Sequence, residues 1–412
     1  MEKNKTAPTL RFPEFTDEWK EDRLDAPLAR YSKGKGVSKA DISDDGAFEC
    51  IRYGELYTEY KEVIDEVISR TNLPEEELVF SEANDVIIPA SGETQIDIAT
   101  ASCVLRDGIA LGGDLNIIKT SLNGVFLAYY LNHTRKNAIA RLAQGISVVH
   151  LYSSQLKSLK INVPEPEEQK KIAAFLTAMD KHIQLLTQKK NRLEAYKKGL
   201  MQKLFPKAGE MLPELRFKDE NGKAFGGWKE KRLGTLGTFL GGGTPATEVE
   251  DYWQGNIGWV SSSDVVDDDI RVGKITRHIT EAAVVASATK IVPSGSLLFV
   301  ARVGVGKIAV NNEPICTSQD FVNFTPHELS VTWLAYFFIV HKNLLKRYAQ
   351  GTSIKGFTID VVKKMMIPCP SFDEQKKIAN SIDRVVQLED CVKGQLFQVQ
   401  ELKKFMLQKM FV

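Results

Sequence analysis

The stretch EEQKKIAAFLTAMDKHIQLLTQKKNRLEAYKKGLMQKL, residues 167–204, has the pattern of one long helix. Its apolar residues recur at steps of three, four and seven, which predicts an apolar seam that packs against a second helix. Pro166 precedes the stretch and Pro206 follows it, so proline marks both ends. At ~1.5 Å per residue, its 38 residues span roughly 57 Å. The seam residues are Ile172, Leu176, Met179, Ile183, Leu186, Leu193, Leu200 and Leu204.

The same pattern returns at the end of the chain, 206 residues later. The sequence 374–379 repeats 168–173 as Glu-Gln-Lys-Lys-Ile-Ala, and the two stretches also end alike. Two helices of equal length and matching pattern are natural partners, so we expect them to pack together. The second seam consists of Ile378, Ile382, Val385, Val392, Leu396, Val399, Met406 and Met410.

Further matches extend this duplication beyond the helices. Between the matches the two copies diverge, which indicates two dissimilar blocks, about 20–163 and 229–369, in a tandem duplication with pseudo-two-fold symmetry. The matched segments are Leu10-Arg11-Phe12 with Leu215-Arg216-Phe217, Trp19-Lys20-Glu21 with Trp228-Lys229-Glu230, and Arg141–Ser147 with Arg347–Ser353.

Each block has mixed α and β character. Residues 86–89 and 296–300 are short apolar runs typical of strands, and residues 122–132 and 331–345 have helical periodicity. The expected fold class is therefore α+β, with two mixed globular blocks in tandem and two long helices. We divide the chain into 1–163, 164–206, 207–369 and 370–412, the third segment beginning with a polar linker, 207–221.

Composition favours a protein of the cytoplasm. The five cysteines have no CxxC spacing, which argues against a zinc site or a disulfide framework and for a reducing compartment. The first residues have no apolar signal core, and the sequence has no run of about 18 apolar residues, so no membrane span is expected. The net charge is +1, with positive charge concentrated in the central helix, so the parts of the chain outside the two long helices are negative when taken together.

Catalytic motifs are missing from the sequence, which argues against an enzyme. Residues 303–307, Val-Gly-Val-Gly-Lys, resemble a fragment of a phosphate loop but lack its Ser or Thr and its spacing. The aspartates at 264 and 267–269 lack the spacing of a calcium loop, so we expect a solvated turn and no metal site.

The candidate ligand-binding residues are polar side chains beside glycines or in expected turns. Arg, Lys, Gln, Ser and Thr can donate to phosphates or base edges, and glycine lets the backbone approach a ligand. The matched Gln-Gly-x-Ser segments carry most weight, although a turn leading back to the long helix explains them equally well. The candidates are Lys33, Lys35, Arg52, Tyr53, Ser91, Thr94, Arg141, Gln144, Ser147, Thr244, Ser261, Ser263, Arg302, Lys307, Arg347, Gln350, Ser353 and Lys355.

The duplicated order of these motifs resembles the specificity subunit of type I restriction-modification enzymes. The residues that carry the resemblance are Pro164–Ala173 and Pro370–Ala379, each closing a variable block, together with the Gln-Gly-x-Ser segments and the Leu-Arg-Phe…Trp openings. The resemblance covers nearly the whole chain.

Membership of this family implies two target-recognition domains, each reading one half of a bipartite site in double-stranded DNA. It implies an antiparallel coiled coil of the two long helices that sets the spacer between the half-sites. It also implies two docked modification subunits that use S-adenosylmethionine for adenine N6 methylation, and restriction motor-nuclease subunits that use ATP and Mg. The chain itself is then not catalytic, and because the combined charge of the two blocks is negative, they rely on partners for part of their attraction to DNA.

Two other functions remain open at this stage. A self-contained enzyme with duplicated domains needs a cofactor pocket and activity of the chain alone. A protein-interaction scaffold that does not bind DNA predicts no sequence-selective binding even with partners present.

Overall fold

The computed structural model describes residues 7–145, 148–348 and 356–412. The chain forms two compact units, which we call unit 1 (1–187 with 394–412) and unit 2 (188–393). Both boundaries fall inside the long helices, so each unit takes one half of each helix. The sequence-based segments instead mark the points where the globular blocks give way to these helices.

The strands are short and the helices fall into two length classes. The strands are β1 (Lys20–Arg23), β2 (Ala29–Lys33), β3 (Phe48–Ile51), β4 (Val63–Ile64), β5 (Ser69–Thr71), β6 (Val86–Pro89), β7 (Ser91–Gly92), β8 (Ser102–Val104), β9 (Ala110–Leu111), β10 (Leu115–Thr120), β11 (Val149–His150), β12 (Lys160–Val163), β13 (Lys229–Arg232), β14 (Gly237–Gly241), β15 (Ile257–Val260), β16 (Arg277–Ile279), β17 (Leu297–Val300), β18 (Ile308–Val310), β19 (Cys316–Thr317), β20 (Phe321–Pro326) and β21 (Met366–Cys369). The helices are α1 (Glu55–Thr58), α2 (Gln95–Ile98), α3 (Gly124–Tyr130), α4 (Lys136–Leu142), α5 (Ser153–Leu156), α6 (Pro166–Leu204), α7 (Glu281–Ala286), α8 (Val331–Val340), α9 (Lys342–Tyr348), α10 (Ile359–Lys364) and α11 (Phe372–Lys409).

The predicted α+β class, with two mixed blocks and two long helices, is confirmed. Helix α6 has 39 residues and α11 has 38, close to the expected lengths. The shorter helices differ in detail, because the expected helix 122–132 becomes α3 followed by a π turn, and the expected helix 331–345 breaks at His341 between α8 and α9.

In each unit, the halves of α6 and α11 run antiparallel. In unit 2, Glu194 lies 3.8 Å from Lys393 and Lys197 lies 2.6 Å from Glu389, so the two residue numbers change in opposite directions. In unit 1, Lys403 contacts Asp180 at 2.6 Å, while the end of α11 packs near the start of α6. The seam residues named above are all buried or half-buried.

The blocks share one sheet plan despite their divergent sequences. Unit 1 has a sheet in the order β2-β10-β6-β8-β4, and unit 2 has the matching order β14-β20-β17-β18. Each also has a three-stranded sheet, β5-β3-β9 and β16-β15-β19, whose central strand pairs antiparallel with one neighbour and parallel with the other. The strand pairs β1–β12 and β13–β21 close the blocks.

The matched openings of the two copies hold each block to its own long helix. In unit 1, Arg11 donates from Nε and Nη2 to the two carboxylate oxygens of Glu168, each at 2.7 Å, and Trp19 Nε1 donates to the same carboxylate at 3.2 Å. Since Glu168 is 0% exposed, its charge depends on these donors. The carboxylate in turn raises the pKa of the Arg11 guanidinium, against the effect of burial.

Unit 2 repeats this arrangement, which we call the helix clamp in both units. Arg216 donates to Glu374 at 3.0 and 2.8 Å, and Trp228 Nε1 donates at 3.2 Å. The next residue on each long helix is a glutamine that accepts from the backbone amide of an N-cap residue, at 2.9 Å in both units. Gln169 accepts from the N-cap of α3, and Gln375 accepts from the N-cap of α8. The repeated Glu-Gln pair is therefore a structural attachment.

The core of each unit includes the end of a long helix. Phe411 packs with Trp19, Phe126 and Tyr130 in unit 1, with ring centroids 5.9–6.4 Å apart. Phe205 packs in the same way in unit 2, 6.1 Å from Trp333. Such fully packed aromatic side chains supply a large part of the burial energy of a core.

No helix in the described part of the chain is both long and apolar enough to cross a membrane.

Candidate nucleic-acid interface

In unit 1, the ends of three strands meet at one rim of the block. The Lys35 amide donates to the Leu111 carbonyl at 2.9 Å, and the Gly112 amide donates to the Ile51 carbonyl at 2.9 Å. A Cβ at Gly34 would lie 2.0 Å from the Gly112 carbonyl oxygen, so this crossing requires glycine. We call residues 33–35, 52–53, 112–114 and 150–152 the first rim.

Cationic and aromatic side chains line the first rim. Lys33 Nζ lies 6.0 Å from the ring centroid of Tyr152, which stacks on His150 at 6.3 Å and is 47% exposed. Exposed rings beside cations suit a nucleic acid, since bases stack on rings and phosphates attract cations. Lys35 is partly committed, because its Nζ donates to the Glu76 carbonyl at 2.9 Å.

Arg52 stands directly after β3 and is held by a carboxylate. Its Nε and Nη2 donate to Glu55 Oε1 at 3.0 and 2.6 Å, and its backbone amide donates to Oε2 at 2.9 Å. Ser69 on the neighbouring strand β5 donates from its hydroxyl to Glu55 Oε1 at 2.6 Å. The guanidinium is therefore fixed in place while a quarter of the side chain stays exposed.

The start of the matched Gln-Gly-x-Ser segment pairs with the edge of the first rim. Gln144 and His150 exchange backbone hydrogen bonds of 2.9 and 2.7 Å. Gly145 has φ of +127°, and a Cβ there would lie 2.0 Å from the Val148 carbonyl oxygen. The glycine is thus required by the turn, and Val148 beyond it is exposed.

Unit 2 forms a corresponding second rim, residues 241–244, 261–263, 277 and 318–320. The Gly243 amide donates to Thr317 at 2.8 Å, and the Ser318 amide donates to Val260 at 2.8 Å. A Cβ at Gly242 would lie 1.9 Å from the Ser318 carbonyl oxygen. These glycines allow the ends of neighbouring strands to cross closely within the chain.

Polar side chains of the second rim bond to one another. Ser261 contacts Ser263 through their hydroxyls at 2.8 Å, and its amide donates to Asp264 at 2.8 Å. Arg277 on β16 donates from Nη2 to both Ser261 Oγ and Asp264 Oδ2 at 2.5 Å, and its guanidinium lies 4.6 Å over the Trp259 ring. The result is a half-exposed guanidinium held by a carboxylate and a ring.

Several predicted residues are engaged inside the fold. Ser91 is buried in the β7–β11 pair, and Thr94 caps α2 by accepting from the Asp97 amide at 3.1 Å. Lys307 Nζ donates to the Val265 carbonyl at 3.0 Å, and Thr244 bonds to Gln319. These contacts give Ser91, Thr94 and Lys307 a structural role.

The remaining predicted residues divide between the surface and the undescribed segments. Arg141 lies in the last turn of α4, Gln144 pairs with His150, Arg302 follows β17 and Arg347 lies in α9, and all four are exposed. Ser147, Gln350, Ser353 and Lys355 lie outside the described residues.

Residues that the sequence had not indicated complete the rims. They are His150, Tyr152, Arg277 and Gln319. Tyr152 follows the matched Gln-Gly-x-Ser segment and could have been found from that position. Arg277 gave no local signal, because only strand pairing brings it beside Ser261.

A second polar network ties each block to the long helices. In unit 1, Tyr129 donates to Asp180, which Lys403 also contacts, and Glu62 lies 3.1 Å from His133. Burial opposes ionisation of Glu62, but the hydrogen bond with His133 and the charge of Lys403 lower its pKa to about 2. Glu62 is therefore charged across the physiological range.

Unit 2 has a related network around a cavity of about 890 Å³ between the loop 266–271, α8 and the helix halves. Arg271 bridges Asp269 at 2.8 Å and Asp390 at 2.5 Å, and Tyr336 donates to Asp383 at 2.6 Å. Burial and the adjoining carboxylate raise the pKa of Tyr336 above its ordinary value. Among the described residues, no cluster of three His, Cys, Asp or Glu side chains could hold a metal ion.

Two blocks of one plan, clamped alike to the long helices but ending in different polar rims, define a tandemly duplicated two-block protein. A family model described as the type I restriction modification DNA specificity domain matches residues 17–195 and 226–401. These matches cover most of the chain, and the chain belongs to this family.

Named relatives agree with this assignment over part of their length. The chain is 30% identical over 200 residues to the type I restriction enzyme MjaIX specificity subunit of Methanocaldococcus jannaschii, covering 47% of this chain and 46% of that protein. It is 30% identical over 182 residues to the EcoR124I/EcoR124II specificity subunit of Escherichia coli, covering 42% and 45%. The chain thus matches slightly less than half the length of each relative.

A solved structure shares the fold over nearly the whole chain. The crystal structure of the type I restriction-modification system S subunit from M. genitalium superposes with a TM-score of 0.62 at 17% identity. The match covers 98% of this chain and 99% of that one. At this identity the likeness speaks for the fold alone.

Proposed function

We propose that the chain is the non-catalytic DNA specificity subunit of a type I restriction-modification complex. Each block reads one half of a bipartite site in double-stranded DNA. The observation that carries this proposal is the contrast between shared and differing parts: sheet plan and helix clamp agree between the units, whereas the rims carry different side chains. A duplicated frame with two different polar rims fits a protein that reads two different sequences.

The chemistry of the rims supports duplex DNA as the ligand. Guanidinium, amide and hydroxyl groups at the rims are the donors that bind base edges, and Lys33 with Tyr152 offers a cation beside an exposed ring. Taken together, the parts of the chain outside the two long helices carry a net negative charge, which weakens their attraction to phosphates. We infer that basic surfaces of partner subunits supply the rest of the binding energy.

The long helices are proposed to dock two modification subunits. Large apolar side chains remain exposed on both helices in the described structure, and such patches mark interfaces. They are Leu185, Tyr196, Leu388, Phe397, Leu402 and Phe405. The modification subunits would bring S-adenosylmethionine for adenine methylation, and motor-nuclease subunits would use ATP and Mg; the complex would act in the cytoplasm, where the DNA is.

The helices are also proposed to set the spacer between half-sites. Two readers on one face of DNA sit about one helical turn apart, ~34 Å, and a helix of roughly 57 Å is long enough for that separation. A heptad inserted into both α6 and α11 adds ~10 Å. We expect it to lengthen the preferred spacer by about three base pairs while both half-sites stay the same.

The test is methylation mapping with the reconstituted complex. We expect adenine methylation within one bipartite motif in DNA exposed to this chain and its modification subunits. A heptad inserted into the linker 207–221 is the matched control and should leave the spacer unchanged. Absence of sequence selectivity with partners present would support a protein scaffold instead, and turnover of a substrate by the chain alone would support an enzyme.

A further inference from the structure

At each rim, an arginine, a serine and a carboxylate occupy three equivalent positions. The arginine and the serine exchange places between the two units. The equivalence follows from strand pairing, because Cys50 and Trp259 hold the same place in β3 and β15. The residue after the strand is Arg52 in unit 1 and Ser261 in unit 2. The residues opposite Cys50 and Trp259 on the antiparallel neighbour are Ser69 and Arg277, respectively.

A carboxylate stands at the centre of this exchange in both units. Glu55 and Asp264 each lie three residues after Arg52 or Ser261, and each accepts that residue's backbone amide, at 2.9 and 2.8 Å. Each carboxylate also bonds one guanidinium and one serine hydroxyl. The carboxylate therefore stays in place while the guanidinium comes from the strand end in unit 1 and from the neighbouring strand in unit 2.

The exchange argues against a purely structural ion pair. A pair needed only for stability has no reason to change the strand from which its arginine extends. Two readers that address different bases do have such a reason, because the two guanidiniums then reach different points of the groove. The carboxylate fixes each guanidinium in advance, so less side-chain entropy is lost on binding.

Charge and exposure indicate a base edge as the target. The arginine side chains are 25% and 39% exposed, whereas the carboxylates are 4% and 15% exposed. Within residues 7–145, 148–348 and 356–412, the Nη1 groups of Arg52 and Arg277 have no hydrogen-bond acceptor. An arginine already neutralised by a carboxylate attracts a phosphate weakly, but its remaining N–H groups can still donate to a neutral base.

We propose that Arg52 and Arg277 are the specificity-determining guanidiniums of the two domains and that each reads a guanine in its own half-site. Arginine to guanine O6 and N7 is the commonest specific contact between proteins and DNA. This inference rests on the proposed function, since it needs two half-sites read by two blocks. It predicts that each half-site contains a specified G·C pair.

The experiment maps methylation by the full complex carrying either Arg52→Lys or Arg277→Lys. Lysine keeps the positive charge and a donor for the carboxylate, but it cannot reproduce the planar guanidinium. We expect Arg52→Lys to reduce discrimination at one G·C pair of one half-site by roughly 5- to 150-fold, with the other half-site unchanged. Arg277→Lys should relax the opposite half-site.

Arg106→Lys is the matched control, because Arg106 is also a part-exposed arginine paired with a glutamate, at 2.8 Å from Glu49, outside the first rim. It should leave both half-sites intact. An unchanged motif in both test variants, or weaker methylation of all sequences alike, overturns the inference while the proposed function stands. If the wild-type complex methylates no bipartite motif, the proposed function itself fails. Melting curves of each complex verify folding, and the two arginine variants provide separate tests.

Discussion

The helix clamp and the rim respond differently to the divergence of the two units. At the clamp, Glu168 and Glu374 accept from the same atoms of an arginine and a tryptophan, with distances that agree within 0.3 Å. At the rims, only the central carboxylate and the glycine crossing are kept, and the other side chains change. Attachment to the helices is thus constant, whereas the surface offered to a ligand is free to vary.

This difference has a physical origin. A buried carboxylate tolerates no loss of its donors, because an unpaired charge in the interior is costly. A rim side chain keeps access to water and can be exchanged at low cost, as long as the strand ends beneath it still cross. Duplication followed by change at the rims therefore gives two different surfaces without altering the frame.

The largest effect is expected when the clamp loses its carboxylate. Glu168→Ala and Glu374→Ala each leave a half-buried arginine and a buried indole N–H without their acceptor, and we expect each to lower the free energy of unfolding by about 3–5 kcal/mol. Urea denaturation of the full chain measures this. Glu167→Ala, which removes an exposed carboxylate on the same turn, is the control and should cost under ~1 kcal/mol. An unchanged free energy of unfolding for either variant would contradict the equivalence of the two helix clamps.

A somewhat smaller loss is expected at the helix ends. Phe205→Ala and Phe411→Ala each remove a buried ring from the aromatic core of one unit, and we expect about 3 kcal/mol in each case. Phe397→Ala, which truncates an exposed ring on α11, should change stability little. Denaturation monitored by tryptophan fluorescence distinguishes these results. Unequal losses, large for one ring and absent for the other, would contradict the matched packing.

An intermediate effect with a defined pH dependence is expected at Glu62. Because its pKa falls from 4.5 to about 2 on folding, its ionised form stabilises unit 1 above pH 4.5, and this contribution is lost as the pH falls towards 2. Glu62→Gln should therefore lower the free energy of unfolding by about 2 kcal/mol at pH 7, and this loss is followed by the melting temperature. The gap from wild type should shrink below pH 4.5. A gap that stays constant down to pH 3 would rule out this carboxylate as the cause.

The smallest effect is expected at two glycines and should have opposite signs. Gly145→Ala introduces a Cβ at φ of +127° that meets the Val148 carbonyl oxygen, and it should destabilise unit 1 by about 1–2 kcal/mol. Gly199→Ala, inside α6 near its C-terminal end and with no neighbour within 4 Å of its Cβ, should stabilise unit 2 by about 0.5–1 kcal/mol. Thermal melts of the two variants provide the comparison, and stabilisation by Gly145→Ala would show that the turn does not need its glycine.

The sequence contained most of the information on the helices and little on the sheets. The apolar seams marked α6 and α11, since a helix repeats its pattern locally over ten turns. The parallel pair of β3 with β9 joins two-residue segments about 60 residues apart, and so short a pairing leaves no periodic signal. The common sheet plan of the two divergent blocks was therefore hidden in the sequence.

The candidate site could be predicted only in part, because the sequence reports local features and not long-range strand pairing. Lys33, Arg52 and Ser261 lie directly at strand ends, where turn residues mark them. Arg277 lies within a strand and acquires its place only when β16 pairs with β15. Lys307 lies in a motif-like sequence, but its ammonium group donates to the Val265 carbonyl. The local sequence gives no signal of such a long-range contact.

Block exchange tests the two-reader proposal most directly. Residues 20–163 are replaced by the corresponding block of another member of the family, and the methylated motif of the reconstituted complex is mapped beside that of the unaltered chain. We predict that one half-site changes to that of the donor while the other half-site is retained. A motif that stays the same, or one in which both halves change, would contradict the proposal that each block reads its own half-site.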